Sequence, residues 1–303
     1  MKKTVSVIVT TYNSEKSIER LLNSIVNQSG IGKEFDIELI VVDDCSTDKT
    51  AEIVKKYNSI LLSTNKNSGG PNAGRNLGLK KASGDYICIA DHDDEWKVNK
   101  TLLQLPFLEK VPVVTCGYTV NDQEKNKVFD KVNTSKIGFQ YFEKNETFLK
   151  RLTKSLSGQN TYLGGIIYKK ELKDILFEEN FGVVDYDWLL RLLHDRDTIE
   201  VCEALYYRHV NRKNLSLNED YRTKDFYFSL MFIEQYQELY PKEVKISYKK
   251  IHGSRARYYY LTNNMKMARR YFLRSQLNLK TIAYYLTSFW GSGYVIKKHN
   301  VFG

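Results

Sequence analysis

Three aspartates fall within four residues in the stretch Asp91-His92-Asp93-Asp94, directly after the apolar run at residues 86–90. Carboxylates this close raise one another's pKa unless a cation or hydrogen-bond donors offset their repulsion. Aspartates at positions i and i+2 offer oxygen ligands, which suit Mg²⁺ or Mn²⁺ bound together with a diphosphate. A solvated acidic loop is the alternative for a single motif of this kind. The prediction of a metal site therefore depends on the neighbouring elements.

The elements before this stretch alternate between strands and helices. Residues 5–9 and 37–42 are apolar, β-branched runs, and each is followed by a polar turn and a segment with helical spacing of its apolar residues. A third strand at residues 60–63 leads to a short helix at 73–79, and residues 86–90 form the fourth strand. This alternation is typical of an α/β fold with a parallel sheet, which binds ligands at the carboxyl ends of its strands.

Polar residues follow three of these strands. They are Thr10 and Tyr12, Asp43 and Asp44, and Asp91 and Asp93. Because the ends of parallel strands lie at one edge of a sheet, we expect these residues to converge on one crevice. Arg75 falls in the first turn of the helix before the fourth strand, where its guanidinium would pair either with an acidic turn or with a phosphate.

Length, charge and cysteine usage limit the class of protein. The 303 residues, 42% of them hydrophobic, suffice for one large or two small packed domains. From residue 240 onward there are 13 Lys and Arg and a single acid, so this tail has a net charge of +12. The whole chain has a net charge of +10, which leaves −2 for residues 1–239. The cysteines stand alone and are expected to be free thiols in a reducing compartment: Cys45, Cys88, Cys116 and Cys202. No signal peptide and no run of about 18 apolar residues is recognisable, which predicts a cytoplasmic protein.

The second half of the chain carries further candidate residues. Strands are predicted at residues 113–120 and 161–168, with a loop between 121 and 136. Asp185 lies at or just before the start of an amphipathic helix, where an aspartate is also a common N-cap. His209 follows a strand-like run, and a lone histidine is more often structural than a ligand.

Beyond a polar linker, the tail contains four aromatic-rich segments compatible with helices. They cover residues 226–239, 246–261, 265–273 and 281–290. Because the tail combines a net +12 with many aromatic side chains, we expect these helices to bind an anionic membrane surface. The alternative is that the aromatic side chains pack internally and the charges are only solvated. No nucleic-acid partner is expected, since binding through the tail alone would leave the aspartate cluster without a role.

Four segments of the first hundred residues resemble the family 2 glycosyltransferases of the GT-A fold. They are residues 5–13 (VSVIVTTYN), 41–48 (VVDDCSTD), 73–78 (AGRNLG) and 84–94 (GDYICIADHDD). The match is dense and in the family's order. It implies an α/β fold, a Rossmann-like and mostly parallel sheet flanked by helices, followed by an all-α appendage. The expected domains are a catalytic domain at 1–215, with donor half 1–110 and acceptor half 111–215, and an appendage at 216–303.

The resemblance also implies a role for each candidate residue. In the donor site it implies that Thr10, Tyr12 and Asp44 hold the nucleoside base, that Asp91 faces the ribose and that Arg75 also belongs to the site. In the metal site it implies that Asp93 ligates Mn²⁺ or Mg²⁺ and that His209 completes the coordination. The catalytic base implied by the resemblance is Asp185. The family often has Glu-Asp at the last of these positions, whereas Val184 precedes the aspartate here. This departure leaves Asp187 as a rival for the base.

The expected function is that of an inverting glycosyltransferase. It would transfer a hexosyl or N-acetylhexosaminyl group from a nucleotide sugar, with a UDP-sugar favoured, to a hydroxyl of a glycan or lipid-linked glycan. A nucleotidyltransferase is one alternative, but residues 10–14 lack the glycine-rich phosphate loop that such enzymes carry after the first strand. A non-catalytic membrane-surface protein is the other. The enzyme would work in the cytoplasm, peripherally at the inner face of the plasma membrane.

Overall fold

The chain divides into two units. The computed structural model describes residues 2–122, 126–155, 158–180, 185–210 and 219–293. Unit 1 comprises the chain up to residue 218 apart from a short segment, and unit 2 comprises that segment, residues 152–155, together with the chain from residue 219. The boundary expected between residues 215 and 216 lies outside the described residues, so the domain assignment stays a prediction.

Unit 1 is built on one ten-stranded sheet. Its strands are β1 Lys3–Thr11, β2 Phe35–Asp43, β3 Ile60–Ser63, β4 Tyr86–Asp91, β5 Asp94–Trp96, β6 Val113–Asp122, β7 Lys127–Lys131, β8 Phe139–Phe142, β9 Ile167–Lys169 and β10 Thr198–Val210. The helices that begin in this unit are α1 Ile18–Val26, α2 Thr50–Val54, α3 Asn72–Lys81, α4 Lys100–Gln104, α5 Glu146–Leu152 and α6 Tyr186–Leu193.

The sheet joins a parallel half to a mixed half. Its strand order is β3-β2-β1-β4-β9-β6-β10-β5, with β7 beside β6 and β8 beside β10. Strands β3, β2, β1 and β4 run parallel, as do β6 and β10, whereas β5, β7, β8 and β9 pair antiparallel to their neighbours. The predicted α/β fold class, with helices flanking a sheet, is confirmed. Within the described residues, strands β1, β2 and β3 take part in no antiparallel pair.

Apolar packing explains the order of the first elements. Strand β1 is buried from Val5 to its end, because it lies between two other strands and under helices. Helix α1 contributes one apolar face to the core, consisting of Ile18, Leu21, Leu22 and Ile25. The core of unit 1 continues across the sheet to Val114, Ile167 and Tyr206. This burial fixes the register of the strands, since a slip by one residue would turn every apolar side chain of a strand to the opposite face.

Two predicted segments differ from the structure. The expected loop at 121–136 contains β7, whose five residues are all exposed, so no alternation of apolar and polar residues marks this edge strand. The expected strand at 161–168 is instead a 3₁₀ turn, Leu163–Gly165, followed by the short β9. A Cβ on Gly164 would lie 2.7 Å from a carboxylate oxygen of Asp94, so this glycine permits the close approach of the turn to the acidic cluster.

Unit 2 is helical. Its helices are α7 Glu219–Glu234, α8 Pro241–Leu261, α9 Met265–Phe272 and α10 Leu279–Thr287. Aromatic side chains pack between them: Tyr260 contacts Tyr284 with ring centroids 5.0 Å apart, and Phe272 stacks on Tyr284 at 5.8 Å. Phe289 and Trp290 remain exposed. The tail aromatics therefore divide into an internal set and an exposed set. Within the described ranges, no helix has the length and apolar character needed to cross a membrane.

Substituting Gly78 tests the packing of α3 on the sheet. A Cβ at this position would overlap Cγ2 of the buried, β-branched Ile8. Overpacking of this kind costs typically about 1–3 kcal/mol, which exceeds the gain of about 1 kcal/mol expected for Ala over Gly in a helix. Gly78→Ala should therefore lower the free energy of unfolding in urea titrations. The control is Gly70→Ala, because a Cβ there meets nothing within 4 Å. Equal stabilities of the two variants would contradict the proposed packing.

Candidate functional site

The strand ends converge as the sequence predicted. In the register of the parallel sheet, Thr10 of β1 lies opposite Asp91 of β4, and Thr11 lies opposite Asp43 of β2. Thr10 is buried, whereas the ring of Tyr12 is 47% exposed one step beyond the strand. An exposed aromatic ring at the carboxyl edge of a parallel sheet is available for stacking against a planar ligand.

Asp44 anchors the loop that follows β3. Its Oδ1 accepts a hydrogen bond from Thr64 Oγ1 at 2.6 Å, and its Oδ2 accepts from the backbone N–H and the hydroxyl of Ser68, both at 2.9 Å. Only 8% of the residue is exposed. A carboxylate has about four acceptor sites, so these bonds leave room for a further donor. The structure therefore shows Asp44 holding the loop beside the crevice, and its contact with a base stays a prediction.

Arg75 forms an ion pair with Asp91. Its Nη2 donates to Asp91 Oδ1 at 2.7 Å, its Nη1 donates to Asn72 Oδ1 at 3.2 Å, and its guanidinium lies over the Phe177 ring. The arginine side chain is only 1% exposed, whereas that of Asp91 is 41% exposed. Of the two partners considered for Arg75, the structure thus shows the acidic turn. A direct contact of Arg75 with the donor stays a prediction.

The acidic cluster is crowded and partly buried. Burial, followed by the charge of Asp91, raises the pKa of Asp93 above its ordinary value. The same two causes, with Asp93 added, raise the pKa of Asp94 further. Arg20 of α1 lies alongside and donates to the backbone carbonyl of Asp93 at 2.9 Å. Because that bond goes to the backbone, the carboxylate of Asp93 is less well compensated than that of Asp91.

His209 lies near this cluster at the end of β10. Its Nε2 is 3.2 Å from Oε2 of Glu95, and its buried Nδ1 has no hydrogen-bond partner. Burial and the nearby Arg20 lower the pKa of His209, while Glu95 and Asp93 act in the opposite direction. A lowered pKa favours the neutral imidazole, which is the form that binds metals. His209, Glu95 and Arg20 therefore form a polar network against the acidic turn.

The residues for a metal ion are present in part. Carboxylate oxygens and a neutral imidazole with an unpaired nitrogen are suitable donors for Mn²⁺ or Mg²⁺. However, among the residues that the structure describes, no three His, Cys, Asp or Glu side chains are grouped as a complete site. Magnesium commonly binds through one or two carboxylates together with substrate phosphates. The donor set fits an ion that a bound diphosphate would complete.

The two candidates for the base differ in their partners. Asp187, in the first turn of α6, is held by Arg191, whose Nε and Nη2 donate to Oδ2 at 2.9 and 2.5 Å. Asp185 occupies the N-cap position of α6 without a capping hydrogen bond, and Arg151 is 3.9 Å from its carboxylate. Its side chain is 28% exposed. The carboxylate of Asp185 is therefore the more available of the two. Val184, where the family often has Glu, lies outside the described residues.

Sequence reasoning missed three residues of the site. Arg20, Glu95 and Arg208 contact the acidic turn or its neighbours: Arg20 Nε lies 3.6 Å from Glu95, and the backbone of Arg208 pairs with Asp94. Arg208 also lies over the Tyr162 ring. Glu95 follows Asp94 and Arg208 precedes His209 in the sequence, so their position next to candidate residues could have identified them. Arg20 lies on the polar side of α1, half-buried, and offered no such signal.

The parallel half of the sheet, with an acidic turn, a buried arginine and an exposed ring at its strand ends, has the arrangement of α/β folds that bind ligands at the carboxyl ends of their strands. The sequence profile of the family described as "Glycosyl transferase family 2" matches residues 6–176, more than half of the chain. The chain belongs to glycosyl transferase family 2. Its fold is the GT-A fold of the TarS structures.

Individual proteins extend this comparison. A poly(ribitol-phosphate) beta-N-acetylglucosaminyltransferase, TarS of Staphylococcus aureus (strain Mu50 / ATCC 700699), is 50% identical over 103 residues, which are 33% of this chain and 17% of TarS. The crystal structure of residues 1–349 of S. aureus TarS with UDP-GlcNAc superposes with a TM-score of 0.68 at 24% identity, covering 99% of this chain and 93% of that one. The mannosyltransferase PcManGT of Pyrobaculum calidifontis, solved with GDP-Man and Mn²⁺, gives 0.61 at 16% identity, covering 99% and 82%.

The different partners of the two aspartates lead to different effects on stability. Asp187→Asn should lower the free energy of unfolding by about 1 kcal/mol, because it weakens charged hydrogen bonds to Arg191. Asp185→Asn should change it by less than about 0.5 kcal/mol, since no short hydrogen bond is lost. Urea denaturation of both variants and the wild type measures the difference. A larger loss for Asp185→Asn would mean that its carboxylate is structural.

Proposed function

We propose that this protein is an inverting glycosyltransferase that uses a UDP-sugar and transfers a hexosyl or N-acetylhexosaminyl group to a hydroxyl of a glycan or lipid-linked glycan. The single observation that carries the proposal is the crowding of Asp93 with Asp91 in a partly buried acidic turn, at the parallel strand ends of a family 2 chain. The donor class is supported by the UDP-GlcNAc bound to TarS, and the acceptor class by the polymer in the TarS name.

The donor would lie across the ends of β1, β2 and β4. Tyr12 would stack against the nucleoside base, with Thr10 and Asp44 as polar neighbours, because its ring is exposed at this edge. Asp91 would accept a hydrogen bond from the ribose through the oxygen that Arg75 leaves unpaired. In this proposal Arg75 is a positioning residue, since its buried guanidinium orients Asp91.

Asp93 and His209 would hold a divalent cation, Mn²⁺ or Mg²⁺. When bound, the ion neutralises the charge that develops on the departing nucleoside diphosphate. Asp93 supplies an oxygen whose burial among carboxylates favours a cation, and His209 supplies a neutral nitrogen. Glu95 would keep the imidazole oriented through its bond to Nε2. The Mn²⁺ in the mannosyltransferase structure supports this choice of metal.

Asp185 would act as the catalytic base. It would accept the proton of the acceptor hydroxyl while the oxygen forms a bond to the anomeric carbon and the bond to the diphosphate breaks on the opposite side. One displacement inverts the configuration, and it needs no second carboxylate as nucleophile. Because the carboxylate of Asp187 already accepts hydrogen bonds from Arg191, Asp185 is the better candidate for the base.

The alternative functions have less support. A nucleotidyltransferase would also use aspartates and a metal, but membership of family 2 and the absence of a glycine-rich loop after β1 argue against it. A purely membrane-binding protein would leave the acidic turn without a function. The four free cysteines suit a reducing compartment, so we place the enzyme in the cytoplasm, peripherally at the inner face of the plasma membrane.

Incubation with a panel of UDP- and GDP-sugars tests the proposed reaction. We expect release of the nucleoside diphosphate from a UDP-sugar, because a cation bound at the acidic turn would offset the negative charge of both the carboxylates and the diphosphate. The release should require Mn²⁺ or Mg²⁺ and should disappear with EDTA. Asp93→Ala should lose the metal-dependent affinity for UDP in calorimetry, whereas the exposed control Asp174→Ala should keep it. Metal-dependent UDP binding by Asp93→Ala would show that the metal assignment is wrong.

Replacing the base should separate chemistry from binding. Asp185→Asn should slow transfer by roughly 10²- to 10⁴-fold while donor affinity stays nearly unchanged, since a positioned general base contributes about this much. Asp187→Asn is the matched control and should cost far less in kcat. Rates are compared at saturating donor and at a temperature where both variants are folded. The reverse ranking would assign the base to Asp187.

A further inference from the structure

Unit 2 contains a cationic cleft that the proposed reaction does not use. Lys242, Lys245 and Lys249 lie three and four positions apart on α8, which puts them on one face of this helix. With Ile246 and residues 276–278 they line a cleft of about 520 Å³. No carboxylate lines the cleft, and in the described part of the chain the three lysines form no ion pair. Because these like charges repel one another, the cleft favours an anionic ligand.

An exposed apolar stripe follows the cleft residues 276–278 along the chain, on α10 and the turn after it. The stripe is spaced by three or four residues along the chain and comprises Leu279, Ile282, Leu286, Phe289 and the adjoining Trp290. Helix α10 packs through its opposite side, where Tyr284 stacks on Phe272 and Ser288 is buried. Leu277, which lines the cleft and is 83% exposed, lies two residues before the first residue of the stripe. Exposed large apolar side chains grouped in this way are typical of an interaction site.

Charge and polarity together select the partner. A second copy of the chain would bring another tail of net charge +12 against this one. Residues 294–303 of the chain itself add Lys297 and Lys298 and no acid, so they would not neutralise the cleft. A soluble anionic polymer would satisfy the lysines and leave the apolar stripe in water. An anionic bilayer offers phosphate groups and an apolar layer in one surface.

The geometry points to an anionic lipid bilayer as the partner of this surface. Headgroup phosphates bind in the lysine cleft, while Leu279, Leu286 and Trp290 enter the boundary of the acyl chains. The inference is independent of the proposed transfer reaction. It assigns the membrane contact to the lysine cleft and the apolar stripe, and it excludes tail aromatics that are buried inside unit 2, such as Tyr260.

Sedimentation of the full chain with vesicles tests the role of the lysines. The protein should pellet with phosphatidylcholine vesicles that contain phosphatidylglycerol and stay in solution with phosphatidylcholine alone. Each lysine near an anionic surface contributes roughly fivefold in partitioning, so K242Q/K245Q/K249Q should weaken binding about 100-fold. The control K55Q/K56Q/K81Q removes three exposed lysines of unit 1 and should bind like wild type. Equal loss in both triple variants, or no dependence on phosphatidylglycerol, would overturn the proposal.

Trp290 fluorescence tests the role of the stripe. Trp96 and Trp188, the other two tryptophans, are 3% and 1% exposed, so the environment of Trp290, which is 84% exposed, should dominate any change on binding. Anionic vesicles should shift the emission to shorter wavelength, and brominated acyl chains should quench it. The shift should be absent in Trp290→Phe. The L279S/L286S variant should bind the vesicles at least tenfold more weakly than the wild type. Without vesicles, the difference between the wild-type and Trp290→Phe spectra isolates Trp290; a short-wavelength difference spectrum would mean that protein covers the stripe and would overturn the proposal.

Discussion

Repulsion among the carboxylates of Asp91, Asp93 and Asp94 is the constraint on which the arrangement of unit 1 depends. The turn lies at the end of a buried strand, where burial and mutual charge raise the pKa of Asp93 and of Asp94. Arg75 pairs with Asp91, and the charges of Arg208 and Arg20 offset part of the repulsion at Asp93 and Asp94. Carboxylates that stay crowded in this way favour a bound cation, which is the basis of the proposed metal site.

The elements around the turn position this charge. Helix α3 brings Arg75 to Asp91, and it lies close to β1 because Gly78 leaves room for Ile8. Strand β10 brings His209 to the turn through its antiparallel pairing with β5, which itself includes Asp94. The site is therefore built mainly on strands and helix starts, whose packing limits their movement.

Local patterns predicted the first four strands and their helices, because the buried strands β1, β2 and β4 consist of nearly continuous apolar residues. They failed at β7, whose side chains are all exposed, and at the turn containing Gly164, whose conformation depends on contacts with Asp94 and Tyr206. The candidate residues at the strand ends were predictable because parallel strands share one edge. The pairing of Arg75 with Asp91 and the network of Arg20 and Glu95 arise from tertiary contacts, which no local pattern encodes.

A crystal structure of the protein with UDP and Mn²⁺, recorded at an anomalous wavelength for manganese, tests the central claim most directly. The account predicts one manganese peak at about 2.1 Å from a carboxylate oxygen of Asp93 and from a nitrogen of His209, with diphosphate oxygens completing the coordination. The ion pair of Arg75 with Asp91 should persist in that complex. A diphosphate held by arginine and lysine side chains without a metal, or a manganese ion bound away from Asp93, would contradict the account.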